Sequence, residues 1–217
     1  MLVYPEELRY REWYDEEKRN SYNINLGFTQ VIDQRNIFGV FGTFGYQEGL
    51  LATPFHRIYF SDGTLAVEQL PNERYKGSLA LNWNRFVGGR IILKNSISGY
   101  VDDFGIIGFS IENETAVKLN AQWTVLPNFR FYTQEGSKYF APYREHDSNE
   151  RFYTSDYDLS DFETYKIGVG LKYAPFKYRE DHKRFDAITL RYKLYSLPRI
   201  LWFSLVISHN NRLFLIP

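Results

Sequence analysis

Apolar and polar residues alternate strictly along residues 22–29. Tyr22, Ile24, Leu26 and Phe28 fall on one side, and Asn23, Asn25, Gly27 and Thr29 on the other. A strand separates its side chains with this period of two, so the segment predicts a β-strand. The pattern returns at Tyr75, Gly77, Leu79, Leu81 and Trp83, against Lys76, Ser78, Ala80, Asn82 and Asn84. It returns again at Tyr165, Ile167, Val169, Leu171 and Tyr173, against Lys166, Gly168, Gly170 and Lys172. One set is apolar with aromatics near its ends, and the other is small, amide or charged. A soluble sandwich turns the polar set outward. A transmembrane barrel turns the apolar set to lipid and the polar set to a wet lumen, with aromatic girdles at both interfaces.

Read this way, the chain predicts an all-β fold, an antiparallel up-and-down meander of about eight strands. It forms an outer-membrane-type β-barrel or an open partial barrel. The strands are expected near residues 21–32, 37–47, 73–85, 90–101, 105–117, 121–134, 162–174 and 185–196. The first, third, fourth and fifth connections are short, while Glu48 to Asn72 and Glu135 to Ser160 are long. Short turns at one end and long loops at the other are the outer-membrane asymmetry. Residues 1–20 read as a charged lead-in, 21–196 as the barrel, and 197–217 as an atypical apolar tail. In that tail Ile200 to Ile207 is apolar on both faces apart from Ser204, which fits a fully buried strand, a short helix or the loss of the natural strand.

Composition sharpens the picture. Aromatic residues make up 18% of the 217, with 18 Tyr and 18 Phe, which suits an aromatic-belted sheet. The 26 basic and 26 acidic residues balance, so no nucleic-acid partner is implied. The absence of Cys excludes disulfides and thiolate metal sites and is compatible with an oxidising compartment. No run of about 20 apolar residues predicts a transmembrane helix. The acidic start, with Glu6, Glu7, Glu12, Asp15, Glu16 and Glu17, does not read as a signal peptide. An exported barrel requires one, so the chain is expected to be the C-terminal part of a larger barrel.

Several motifs carry a resemblance. They are Gly49-Leu50-Leu51-Ala52-Thr53-Pro54-Phe55, Glu68-Gln69-Leu70-Pro71-Asn72-Glu73-Arg74 and Gly99-Tyr100-Val101-Asp102-Asp103-Phe104-Gly105-Ile106. Pro127-Asn128-Phe129-Arg130-Phe131-Tyr132-Thr133-Gln134 and Arg151-Phe152-Tyr153-Thr154-Ser155-Asp156-Tyr157-Asp158-Leu159-Ser160 complete the set. In order and spacing they resemble an uncharacterised outer-membrane barrel family of Gram-negative bacteria, the domain of unknown function 3570, over roughly residues 20–196. The resemblance implies an outer-membrane location and further strands ahead of this region, and brings no established activity. Phe104 stands where a Trp is usual, and Asp158 where an Arg is common.

The residues with candidate chemistry are a possible lumenal charge cluster: Lys94, Asp102, Asp103, Glu112, Glu114 and Arg130. Such a cluster either sets pore selectivity or cation binding, or fills a wet interior with salt bridges. His56, His146, His182 and His209 lack metal-ligand spacing. Glu145-His146-Asp147 with Glu150 fits a solvated loop better than a calcium site. Ser155 near His146 and Ser208-His209 lack the context of an activated nucleophile, and no Gly-rich phosphate cradle or other cofactor motif is present.

The expected function is therefore a non-enzymatic channel, conduit or scaffold in the cell outer membrane. Its partners are the lipid bilayer and a periplasmic or surface protein. Two rivals are a barrel enzyme acting on lipid or surface polymer and a soluble lipocalin-like small-molecule binder.

Overall fold

The computed structural model describes residues 18–53, 56–174, 188–197, 200–209 and 212–216. Eight long strands alternate in direction: β1 (Arg19–Val31), β2 (Asn36–Gly49), β5 (Glu73–Val87), β6 (Ile91–Asp102), β7 (Ile107–Lys118), β8 (Trp123–Glu135), β9 (Phe162–Tyr173) and β10 (Ile188–Leu197). Each lies within a few residues of its expected position. Between β2 and β5 a small hairpin forms from β3 (Arg57–Tyr59) and β4 (Leu65–Val67). Beyond β10 the meander continues through β11 (Ile200–His209) and β12 (Arg212–Ile216). The apolar tail therefore adds two strands that its loss of alternation concealed.

Among the described residues, ten strands form one sheet in the order β1-β2-β5-β6-β7-β8-β9-β10-β11-β12. All its pairings are antiparallel, and it is an open sheet rather than a closed barrel. At one end lie the tight connections 32–35, 88–90 and 119–122; at the other lie residues 50–72 and 136–161. The tight end is built from turn chemistry. The Asp33 carboxylate accepts from the Arg35 and Asn36 backbone N–H groups at 2.6 and 2.8 Å, and Gly88 and Gly89 take positive φ.

Hydrogen bonding from the Asn36 side chain, and then from the Arg35 amide, holds the Asp33 carboxyl below its ordinary 3.8. A lowered folded pKa gives stability that is present above the unfolded value and is lost as pH falls through the folded one. Amide exchange at Arg35 and Asn36 is therefore expected to be slow at neutral pH and to lose its extra protection only below about pH 3.8, relative to Asp33→Ala.

The register keeps every alternating set on one face. The row Tyr22, Tyr46 and Tyr75 is paired across β1, β2 and β5, with ring centroids 6.2 and 4.8 Å apart. Trp123 and Tyr173, 4.7 Å apart, sit near the tight-turn end of the same face. Eight residues separate Tyr75 from Trp83, and Tyr165 from Tyr173. That is about 26 Å along a strand and about 20 Å once tilted, on the order of the apolar band of an outer-membrane barrel.

Glycines open the opposite, polar face where backbones and side chains crowd. A Cβ at Gly168 would lie 2.8 Å from the Tyr192 carbonyl oxygen and 2.9 Å from the Asn128 amide, whereas at Gly99, on the apolar face, it would meet nothing within 4 Å. Gly168→Ala is expected to destabilise by about 1–3 kcal/mol, because the clash is with backbone. Gly99→Ala should stay within about 0.5 kcal/mol. Denaturant titration of the two refolded variants checks the difference.

Candidate functional site

Two sites are built on this frame, one along the polar face and one over its loop end. On the polar face, β6 and β7 place Lys94 opposite Glu114, and Lys94 Nζ donates to Glu114 Oε1 at 3.0 Å. Arg191 Nη1 approaches the other Glu114 oxygen at 3.9 Å, from β10. Strands β8 and β9 lie between them. Three strand spacings amount to about 14 Å on a flat sheet, so both side chains reach inward over the wall. Gly170 makes room: a Cβ there would lie 3.1 Å from Arg191 Cγ. Glu112 pairs in register with Arg130, which pairs in turn with Lys166.

Asp102 belongs to a different constellation at the loop end. Its side chain is fully buried, and Oδ2 accepts from Arg74 Nε at 3.0 Å, from Arg74 Nη2 and from the Tyr100 hydroxyl at 2.8 Å. Oδ1 accepts from the Ile106 N–H at 3.0 Å. The Arg74 guanidinium also lies 4.6 Å over the Phe104 ring. Asp103 does not join this group. It sits exposed in the 103–106 turn, where its carbonyl accepts from Lys138 Nζ at 2.8 Å. The six expected cluster residues thus divide: Lys94 and Glu114 are joined, Glu112 and Arg130 are register partners, Asp102 is at the rim, and Asp103 is in a turn. Arg74 and Arg191 were missed as partners, although each has the parity of the polar face.

The 103–106 turn is a socket for the longer loop. The Phe104 carbonyl accepts from the Lys138 N–H at 2.9 Å and the Ser137 hydroxyl at 3.0 Å, and the Phe104 ring meets Tyr139 edge-on at 5.3 Å. Phe104, where the resemblance led one to expect Trp, is 1% exposed and packs between Tyr139 and the Arg74 guanidinium.

The two long loops fold together into a cap. Ile58, Phe60 and Tyr153 form its apolar centre, with Phe60 and Tyr153 edge-to-face at 4.9 Å. Phe60 bridges to His146, and Gln69 to Tyr153. Buried Glu68 accepts from the Thr53 N–H and the Thr154 hydroxyl, and His56 Nδ1 lies 3.6 Å from it. Buried His146 sets Nδ1 2.6 Å from Glu150 and Nε2 2.8 Å from the Thr154 carbonyl. His146 and Glu150, read from sequence as parts of a solvated loop, brace the 136–161 loop internally, and the His146 backbone ties that loop to Phe60 and Ser61 of the other. A cleft of about 700 Å³ opens beside this network, lined among others by Leu50, Glu68, Asn72, Arg151 and Phe152.

Thr154→Val removes a donor to a buried carboxylate and is expected to cost the cap about 1–3 kcal/mol. Limited proteolysis should then cut within 136–161 several-fold faster, while Thr115→Val on the exterior face leaves the rate unchanged.

The order of these features along the chain matches a known family model over residues 3–192, described as Protein of unknown function (DUF3570). The chain belongs to that family. No curated protein matches it. Membership of DUF3570 thus covers the wall through the first half of β10 and both loops of the cap. Among the described residues no helix is long and apolar enough to cross a membrane, which says nothing of crossing by strands.

Proposed function

We propose that this DUF3570 chain forms the wall of an outer-membrane-type β-barrel. It is a non-enzymatic conduit or scaffold with a polar lumen and the loop cap at its outer mouth. The observation that carries this is the inverted burial of the sheet. Along β7, Ile107, Phe109 and Ile111 are exposed while Gly108 and Ser110 between them are buried. Leu26 is 73% exposed, Ile167 58% and Leu79 53%. By contrast, most of the buried apolar residues, including Ile58, Phe60, Leu70 and Phe104, belong to the cap and its socket. Water makes such an exposed apolar face costly, at roughly 25 cal/mol per Å², and lipid removes that cost.

In this reading the open sheet closes through further strand pairing at β1, supplied by strands of the larger protein. Its partners are the bilayer and a periplasmic or surface protein. Expression of the full-length gene product in a Gram-negative host tests it. Recovery in the outer membrane, with a faster-migrating band when the sample is not heated, is expected. A soluble, heat-insensitive product would favour the lipocalin-like alternative, in which the apolar set faces a ligand.

A further inference from the structure

An aromatic ring breaks the parity of the wall at mid-height. Phe41 shares the polar face of β2 with Gly39 and Thr43, and its register partners are Gly27 on β1 and Ala80 on β5. Despite these neighbours it is 41% exposed. The ring uses the space that Gly27 and Gly39 leave. A Cβ at Gly27 would lie 3.0 Å from Phe41 Cδ1, and one at Gly39 would lie 2.8 Å from Phe41 Cε2. Opposite edges of the ring therefore rest where two side chains would otherwise stand. The ring lies along the wall over bare backbone, and its exposed surface is on the polar side of the sheet.

The surroundings of this ring are polar but uncharged. The register rows on either side of it supply Asn82 and Ser96 toward the tight turns, and Asn25, Thr43 and Ser78 toward the loops. No charged residue occupies the polar face in these three rows of β1, β2, β5 and β6. The charges that border the patch are Lys76 and Asp102 one row toward the loops, Lys94 one row toward the turns, and Glu112 on β7. Asp102 and Lys94 are already held, by Arg74 and by Glu114. The Thr43 hydroxyl donates to Asn25 Oδ1 at 2.9 Å, which leaves the Asn25 N–H groups as donors for a ligand. Four strands and three rows make the patch about 14 Å wide and about 13 Å long.

A solute that fits it has an apolar face for the ring, hydrogen-bonding groups at its margin and no charge to neutralise. A pyranose is built in this way, with C–H bonds on a face and hydroxyls around the edge. Its C–H groups are electropositive and meet the negative face of an aromatic ring favourably. A wholly apolar solute would leave the amides unpaired, and an ionised one would find no counter-charge.

We infer that this patch is a saccharide-binding subsite with Phe41 as its stacking platform, and that the solute the barrel admits or holds is a neutral oligosaccharide. This rests on the polar face being a lumen.

The test uses the refolded full-length gene product in zwitterionic micelles free of sugar detergents. Maltotriose, cellotriose and tri-N-acetylchitotriose are titrated by saturation-transfer NMR, with citrate as the charged competitor. At least one trisaccharide should bind, with saturation reaching mainly its ring C–H protons, and citrate should not displace it. Phe41→Ala should weaken that binding several-fold, and Phe41→Trp should keep it. Gly39→Ala, whose Cβ would meet the ring, should weaken it with the ring still present. Phe44→Ala removes an exposed ring from the exterior face of the same strand and should leave it unchanged. Heat-modifiable protein that binds none of the trisaccharides, or binds one with no loss in Phe41→Ala, overturns the inference and leaves the barrel reading standing. Protein that is soluble and not heat-modifiable overturns both.

Discussion

Leu79→Lys is expected to destabilise the membrane-inserted protein by about 2–4 kcal/mol, the cost of a lysine facing lipid at mid-bilayer depth. Leu79 lies midway between the belt residues Tyr75 and Trp83 on β5, and it is exposed with Gly42 and Gly99 as its cross-strand neighbours. Depth should set the size of the effect. Tyr75→Lys, at the loop-end belt, is expected to cost about 0–1 kcal/mol. Ala80→Lys, one residue away on the polar face, should cost less than Leu79→Lys because its charge enters the wet lumen. Denaturant titration of vesicle-refolded protein measures all three. A soluble binder predicts another order: Leu79→Lys unfolds the domain in water, and the result does not depend on bilayer thickness.

The second large effect is expected at the socket between wall and cap. Phe104→Ala removes a ring that is 1% exposed, packed edge-on against Tyr139 and covered by the Arg74 guanidinium. Truncating such a ring costs about 3–5 kcal/mol through lost burial and the cavity left behind. The loss should fall on the cap more than on the wall. The 103–106 turn meets the 136–161 loop through the Lys138 amide and the Ser137 hydroxyl, whereas each wall strand is held by its neighbours along its length. Proteolysis within 136–161 and solvent exposure of Tyr139 should therefore increase while heat-modifiable migration persists. Phe104→Tyr should retain the docking better than Phe104→Ala, because most of the ring volume is kept. Equal loss of cap and wall in Phe104→Ala would show that the two fold as one unit.

The wall was largely legible in the sequence because its signal is local. Tyr22 to Phe28 and Tyr165 to Tyr173 alternate within a single strand, and two residues suffice to fix a face. Its ends were set by turn residues such as Asp33 and the Gly88-Gly89 pair. The strands β11 and β12 were not legible as part of the meander, since Ile200 to Ile207 is apolar at both parities and a period of two has nothing to mark. The cap was hidden for another reason. Glu68 meets Thr154, and Phe104 meets Tyr139, across long stretches of chain with no periodicity to join them. In the charge cluster, Lys94, Asp102, Glu112 and Glu114 were placed by the parity of the lumen face, and Asp103 only by its adjacency to Asp102. Strand geometry sends adjacent residues apart, and Asp103 lies in the turn. Parity applied to Arg74 and Arg191 was the available signal for the true partners of Asp102 and Glu114.

The absence of cysteine makes the central claim directly measurable, because each introduced thiol is a unique label site. Single cysteines at Leu79, Ala80, Leu81 and Asn82, spin-labelled in refolded bilayers, report whether each position meets lipid or water. Collisions with oxygen, which concentrates in lipid, should dominate at 79 and 81, and collisions with a water-soluble nickel chelate at 80 and 82. An alternation of the opposite sense, with 79 and 81 shielded from both reagents and 80 and 82 open to water in detergent-free solution, would contradict the lipid-facing assignment.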